Sequence, residues 1–319
     1  MPFKMHLLNS VIFRRFQILG LLFACSFLLG CGPVEVQDGG KEQGKVTLAA
    51  NSPQYDFKYH LDRPDKKHKL SSELVEISGL AWMEEEILAA VQDEKGNVYL
   101  FDFGEGEVIK KIDFAGSGDY EGIAKRKEEI WVLRSDGRLY QLVSGEKVRK
   151  FDTPLDEDFD VEGLDYYPKK DVLLLACKGY PGQGEVLKNK KTVYAFHPKS
   201  EKLDMEPIFI IDPAEIKPGK VMRSDEKVEE FINPGKGGKT FQPSGIAVHP
   251  KTGDIYVISS VGKKLLILSP KGKLLHVESL DYKYFDQPEG ICFAPDARMY
   301  ISSEGAGGKG KIMRFDPEP

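Results

Sequence analysis

Short runs rich in β-branched and aromatic residues recur along the chain: Val98–Phe101, Ile130–Leu133, Val172–Leu175, Val193–Phe196, Ile255–Ile258 and Met299–Ile301. Turn signals sit beside them, at Lys95-Gly96-Asn97, Ser135-Asp136-Gly137 and Thr252-Gly253-Asp254. Apolar runs this short, bounded by turn residues, predict strands. No long amphipathic helical pattern interrupts them between residues 55 and 210.

One short motif returns five times, as Glu76-Ile77-Ser78-Gly79-Leu80, Asp119-Tyr120-Glu121-Gly122-Ile123, Asp160-Val161-Glu162-Gly163-Leu164, Gln242-Pro243-Ser244-Gly245-Ile246 and Gln287-Pro288-Glu289-Gly290-Ile291. Its glycines are 43, 41, 82 and 45 residues apart. A period near 40 with room for about four strands per unit is the pattern of a β-propeller. Single blades cannot bury their faces alone and pack radially on one another. The 82-residue gap holds either a sixth, degenerate blade or an insertion. Residues 212–240 show no strand pattern; Ser224 reads as an N-cap before Asp225 and Glu226, with Val228, Phe231 and Ile232 at helical spacing. The chain therefore predicts an all-β, five-bladed propeller with a short helix-containing insertion at about 212–240, six blades being the alternative. After Gly290 only three strand candidates remain, and Tyr55–Leu61, with Tyr55, Phe57 and Tyr59 alternating with polar residues, is expected to supply the fourth.

The N-terminus reads differently. Lys4, Arg14 and Arg15 precede a short apolar run, Phe16–Leu29, that ends in Leu28-Leu29-Gly30-Cys31. The run is short for a membrane span, and residues 1–30 read as a secretory signal. The segment before Cys31 resembles the lipobox of bacterial lipoproteins, which implies cleavage before Cys31 and lipidation of its thiol. Each buried lipid methylene then contributes about 0.8 kcal/mol to anchoring. Gly32 at the next position resembles outer-membrane sorting in Gram-negative lipoproteins. The expectation is an exported protein, lipid-anchored to a bacterial membrane, at the outer membrane or periplasmic face in a Gram-negative host. Residues 31–54 are polar and Gly-rich without a period and read as a flexible tether; residues 55–319 form the propeller.

Composition is that of a soluble globular chain, 41% hydrophobic and 30% charged, which excludes a polytopic membrane protein. The 45 basic and 50 acidic residues become 42 and 50 without residues 1–30, a net charge of -8, and such a balance does not favour nucleic acid. Cys177 and Cys292 lie in apolar runs, so buried free thiols are favoured over a disulfide.

At EISGLAW (76–82), AVQDEKGNVYLFD (90–102), GSGDYEGIA (116–124), VLRSDGRLY (132–140), DVEGLDYYP (160–168), LLLACKG (173–179), QPSGIAVHPKTGDIYVISS (242–260) and QPEGICFAPDARMYISSEG (287–305), the chain resembles the SdiA-regulated, YjiK-like family of bacterial exported proteins. The resemblance spans about residues 70–315. It implies a five-bladed propeller on an exported, membrane-associated protein, and it carries no reaction.

Taken as innermost strands, the five motifs gather polar residues on one face, because alternate side chains share a face. That face holds Glu76, Ser78, Asp119, Glu121, Asp160, Glu162, Gln242, Ser244, Gln287 and Glu289, six of them carboxylates. Brought round one axis they form an acidic ring at one channel mouth, where unpaired carboxylates raise one another's pKa. Three remedies stand open. A hard cation such as Ca²⁺ takes carboxylate, carbonyl and water oxygens, with Glu76, Glu121, Glu162 and Glu289 as the candidate metal ligands. Basic neighbours, Arg134 and Lys178, are the second remedy, and plain hydration of a wide mouth is the third. Asp93, Asp119, Asp160, Lys178, Gln242, Ser244, Gln287 and Glu304 are candidate ligand-binding residues. A shell of Gln92-Asp93-Glu94, Ser135-Asp136, Lys178, Ser259-Ser260 and Ser303-Glu304 lies after the second strands; within it Asp136 reads as a turn residue and Asp93 and Glu304 as site residues. The motif glycines read as close-packing positions near the axis.

Other chemistry is missing from the sequence: it has no G-x-S-x-G, H-E-x-x-H or P-loop motif. His197 and His249 precede prolines in turns and read as solvated, and PGKGGK (234–239) reads as a solvated lid. Three functions compete. The first is a binding module that presents the acidic mouth to a cation and to a small-molecule or envelope-protein ligand. The others are a calcium-dependent hydrolase of phosphoesterase or lactonase type and a purely structural envelope protein.

Overall fold

The computed structural model describes residues 55–216 and 241–319 and the backbone of residues 44–45. The signal, Cys31, the expected helix after Ser224 and PGKGGK all lie outside the described residues. Two short strands, β1 (Gly44–Lys45) and β2 (Lys66–Lys69), precede the first blade. That blade is β3 (Ile77–Glu84), β4 (Ile87–Gln92), β5 (Lys95–Asp102) and β6 (Glu107–Ser117). The second is β7 (Tyr120–Arg126), β8 (Glu129–Arg134), β9 (Leu139–Val143) and β10 (Arg149–Phe151). In the third, β11 (Val161–Tyr167), β12 (Val172–Cys177) and β13 (Lys191–His197) are followed by β14 (Lys202–Leu203) and β15 (Phe209–Ile211), which both pair with β13. The fourth is β16 (Gln242–Val248), β17 (Ile255–Val261), β18 (Lys264–Leu268) and β19 (Leu274–Ser279). The fifth joins β20 (Gln287–Phe293), β21 (Met299–Glu304) and β22 (Lys311–Phe315) to β2.

The five motifs therefore open the five innermost strands, and the chain is a five-bladed β-propeller. These strands neighbour one another in the cyclic order β3, β7, β11, β16, β20 and back to β3. Between each pair of adjacent blades lies one apolar cluster. The unbroken apolar run of β12 follows from this: Leu174 and Ala176 face the fourth blade, while Leu173, Leu175 and Cys177 face the second. A strand covered on both sides has no polar face to alternate with. Cys177 and Cys292 are buried free thiols.

The ring closes elsewhere than the aromatic alternation suggested. The fourth strand of the last blade is Lys66–Lys69, paired antiparallel with β22 from Lys66↔Arg314 to Lys69↔Lys311. Tyr55–Leu61 joins no sheet; its Tyr59 and Leu61 are buried in the cluster between the fourth and fifth blades. Its apolar side chains serve blade-to-blade packing, whereas an outermost strand borders solvent and tolerates Lys-Lys-His-Lys. Within the expected tether, Gly44 and Lys45 pair in parallel with Phe209 and Ile210 and cover the outer edge of the third blade. Lys95-Gly96-Asn97 opens β5 and is not the turn. The turn is Asp93-Glu94, and the Gln92 Oε1 closes it by accepting the Glu94 and Lys95 amides, both at 2.6 Å. Of the insertion, Asp212 caps a 3₁₀ turn at Pro213–Glu215 and accepts the Ala214 amide at 3.0 Å.

Candidate functional site

Every inner strand carries a β-bulge at its motif. Tyr120 faces Arg134 and Gly122 faces Leu133, which leaves Glu121 as the extra residue. Glu162 stands likewise between Val161↔Cys177 and Gly163↔Ala176, and Ser244 between Pro243↔Ser259 and Gly245↔Ile258. In β3 and β20 the shift spans Ser78-Gly79 and Glu289-Gly290. A bulge bends the strand and re-aims the extra side chain. Glu121, Glu162, Ser244 and Glu289 thereby line a cavity on the axis, together with the motif glycines, on the order of one water in size. Glu162 and Glu289 are 5% and 7% exposed. The glycines are required by close approach: a Cβ on Gly245 would stand 2.1 Å from the Glu289 carbonyl oxygen, and one on Gly290 2.7 Å from that of Ser78.

The residues three before each glycine form an outer tier. Asp119 is exposed, and Glu76, Asp160, Gln242 and Gln287 are partly exposed. The tiers communicate. Burial, then the charge of Glu162 and a hydrogen bond with Asp119, push Glu121 up to about 11. Glu289 is also held well above the carboxylate range, first by burial and then by Glu162. Glu162 rises only to about 7, because the Lys178 ammonium, 2.6 Å from its Oε1, offsets burial. Lys178 also lies 3.9 Å from Asp160. Burial alone would lower the lysine, but Glu162 and Asp160 hold it above its ordinary value.

Across the mouth, Asp93 rises to about 6 through burial and through Glu76, Glu304 and Asp119. Its Oδ1 is buried and has no hydrogen-bond donor. Glu304 is raised by burial and by Glu76, and it accepts a hydrogen bond from the Gln287 amide. Gln242 and Gln287 are tied down through their backbone amides, which donate to Ser259 and Ser303 at 2.8 and 3.0 Å. Ser244 donates to the Pro288 carbonyl at 2.7 Å. These serines stitch neighbouring strands together.

Of the expected ring, Glu121, Glu162, Ser244 and Glu289 meet in the axial cavity, and Glu76 and Asp119 lie within electrostatic reach of Asp93. Of the two basic neighbours, Lys178 joins them; Arg134 pairs with Asp136 in the Ser135–Gly137 turn instead. Lys263, which no motif marks, donates to the Asp286 carbonyl and lies near Glu289. Its signal in the sequence is a Gly-Lys-Lys turn leading into β18. His249 is buried, not solvated: it accepts the Thr252 amide at Nδ1 (3.2 Å), so its Nε2–H faces the Tyr59 hydroxyl at 3.1 Å. Among the described residues, no three His, Cys, Asp or Glu side chains stand as a ready set of metal ligands.

No protein-family model matches the chain, and no curated protein does. Among solved structures it is similar to a glutaminyl cyclase from Myxococcus xanthus, at 11% identity over 80% of this chain and 96% of that one, with a TM-score of 0.53. A luciferin-regenerating enzyme matches at 12% identity over 80% and 95%, with a TM-score of 0.48. A PQQ-bound aldose sugar dehydrogenase from Streptomyces coelicolor matches at 14% over 80% and 100%, with a TM-score of 0.45. At 11% identity the likeness to the cyclase is one of propeller fold.

Proposed function

We propose that this is an exported, lipid-anchored binding protein of the SdiA-regulated type whose acidic mouth takes a cationic ligand, with Ca²⁺ the first to test. The observation that carries the reading is the crowding of carboxyl groups from different blades around Asp93, whose Oδ1 has no donor. After burial, the repulsion of neighbouring acids raises Asp93 and Glu304, and a cation there relieves it. Calcium takes carboxylate, carbonyl and water oxygens together, so Asp93 with water and one neighbouring acid meets its chemistry without a preformed cage. The deeper acids are placed otherwise: burial pushes Glu121 and Glu289 toward the protonated form, and Lys178 pairs with Glu162.

The test is calorimetry and thermal melting of the purified full-length protein with CaCl₂. Saturable binding at millimolar calcium or below, abolished in Asp93→Asn/Glu304→Gln, supports the site; no heat and no shift in melting temperature remove it. Cys31→Ala separates the anchor: release from membranes is expected, and retention there ends the lipoprotein reading.

One observation favours the second reading, a hydrolase of phosphate esters or lactones. Glu162, at about 7, has a proton affinity suited to a general base near neutral pH. Turnover lost on Glu162→Gln supports it, and turnover that persists there excludes this group as the base.

A further inference from the structure

The opposite ends of the same five strands enclose a second cavity of about 370 Å³. All five blades contribute to it, through Ala81 and Trp82, Lys125, Asp165–Tyr167, Val248, and Cys292 and Phe293. Its size lies within the range of small-molecule pockets. Two residues after the motif glycine the five copies read Ala81, Ala124, Asp165, Ala247 and Cys292. Four are small, and one is a carboxyl. Its Oδ2 accepts the Val248 amide at 2.7 Å, and no side chain among the described residues pairs with it. The Tyr166 amide donates to it as well; burial nonetheless pushes it up to about 7, where its O–H becomes available as a donor.

The rest of the lining is aromatic and basic. Trp82 and Phe293 supply flat, partly exposed surfaces. The Lys125 ammonium stands 5.6 Å from the Trp82 ring centre and donates to the Met83 carbonyl at 2.5 Å. Lys169 donates to the Thr252 carbonyl at 3.2 Å, and Lys127 is exposed at the end of its strand. An ammonium has three donors, so each anchored lysine keeps N–H groups for a ligand. This positive mouth stands on a chain of net negative charge, opposite an acidic one.

We propose that this second mouth binds a small organic anion carrying a flat ring, with the ring against Trp82 and Phe293, the anionic group on the lysines and a polar substituent on Asp165. The site is independent of the acidic mouth.

The probe is naphthalene-2-carboxylate, titrated calorimetrically into the full-length protein beside the cation naphthalen-2-ylmethylammonium. The carboxylate is expected to bind at least tenfold more tightly. Lys127→Gln/Lys169→Gln, both altered at the surface, is expected to weaken it at least tenfold, as is Trp82→Leu. Asp93→Asn at the acidic mouth is expected to leave it unchanged. Equal affinity for the two probes, no heat at millimolar carboxylate, or binding that survives the lysine changes overturns the proposal; so does binding lost on Asp93→Asn, which moves the ligand to the other mouth.

Discussion

The Lys178 ammonium stands 2.6 Å from the Glu162 carboxylate, joining the bulge of β11 to the residue that follows β12. Glu162 is nearly buried and Lys178 is not, so the pair links the inside of the channel to its rim. Removing one partner of such a pair leaves the other charge unpaired in a place water hardly reaches. Lys178→Met is expected to cost roughly 3 kcal/mol at pH 8. The loss should shrink at pH 5, where Glu162 takes up a proton. Urea melts at the two pH values check this, and Lys178→Met/Glu162→Gln should recover most of the loss.

Glu121 gives the opposite sign. Its folded pKa, about 11, lies above the ordinary 4.5, so the folded chain holds a proton that the unfolded chain has released. Stability from this group is complete below the ordinary value and declines as pH rises toward the folded one. Glu121→Gln keeps the shape and removes the titration. It is expected to raise the melting temperature at pH 8 by roughly 2–4 °C per kcal/mol recovered, with little change at pH 4. A variant less stable than the parent at pH 8 would contradict the protonated state.

His249 opposes Glu121 on acidification. Burial lowers its pKa below 6.5, and the Thr252 amide on Nδ1 selects the neutral ring. A histidine buried neutral contributes stability above its unfolded pKa, and that stability is lost as pH falls through it. Tyr59 accepts the Nε2–H and donates to the Ala297 carbonyl at 2.8 Å. Tyr59→Phe is expected to cost about 1–2 kcal/mol by chemical denaturation at pH 7.5. His249→Gln should flatten the fall in stability below about pH 6.5.

The glycines differ sharply among themselves. An added Cβ at Gly245 meets the Glu289 carbonyl oxygen at 2.1 Å, whereas one at Gly116 meets nothing within 4 Å. Gly245→Ala is expected to cost about 3 kcal/mol or more, since backbone must move to admit it. Gly116→Ala should stay within about 0.5 kcal/mol of the parent. Thermal melts of the two variants separate close approach at the axis from a general effect of losing glycine.

The architecture is legible in the residues alone. The five-fold return of the motif, the short β-rich runs and the glycine in every copy are each written in neighbouring residues, because a blade is a local unit and its innermost strand must be thin to reach the axis. The repeat also placed the acids together, since a repeated position in a closed ring is a shared position. Tertiary structure alone decided which residue of each motif turns inward, because the bulge is a mismatch between two strands and breaks the two-residue alternation on which single-strand reasoning depends. It chose Lys66–Lys69 over Tyr55–Leu61 to close the ring, since backbone pairing at a solvent-bordered edge asks nothing of hydrophobicity. Arg134 went to Asp136 and Lys178 to Glu162 for the same kind of reason: a long side chain takes whichever carboxylate the packing sets within reach, and that distance is a property of the folded chain.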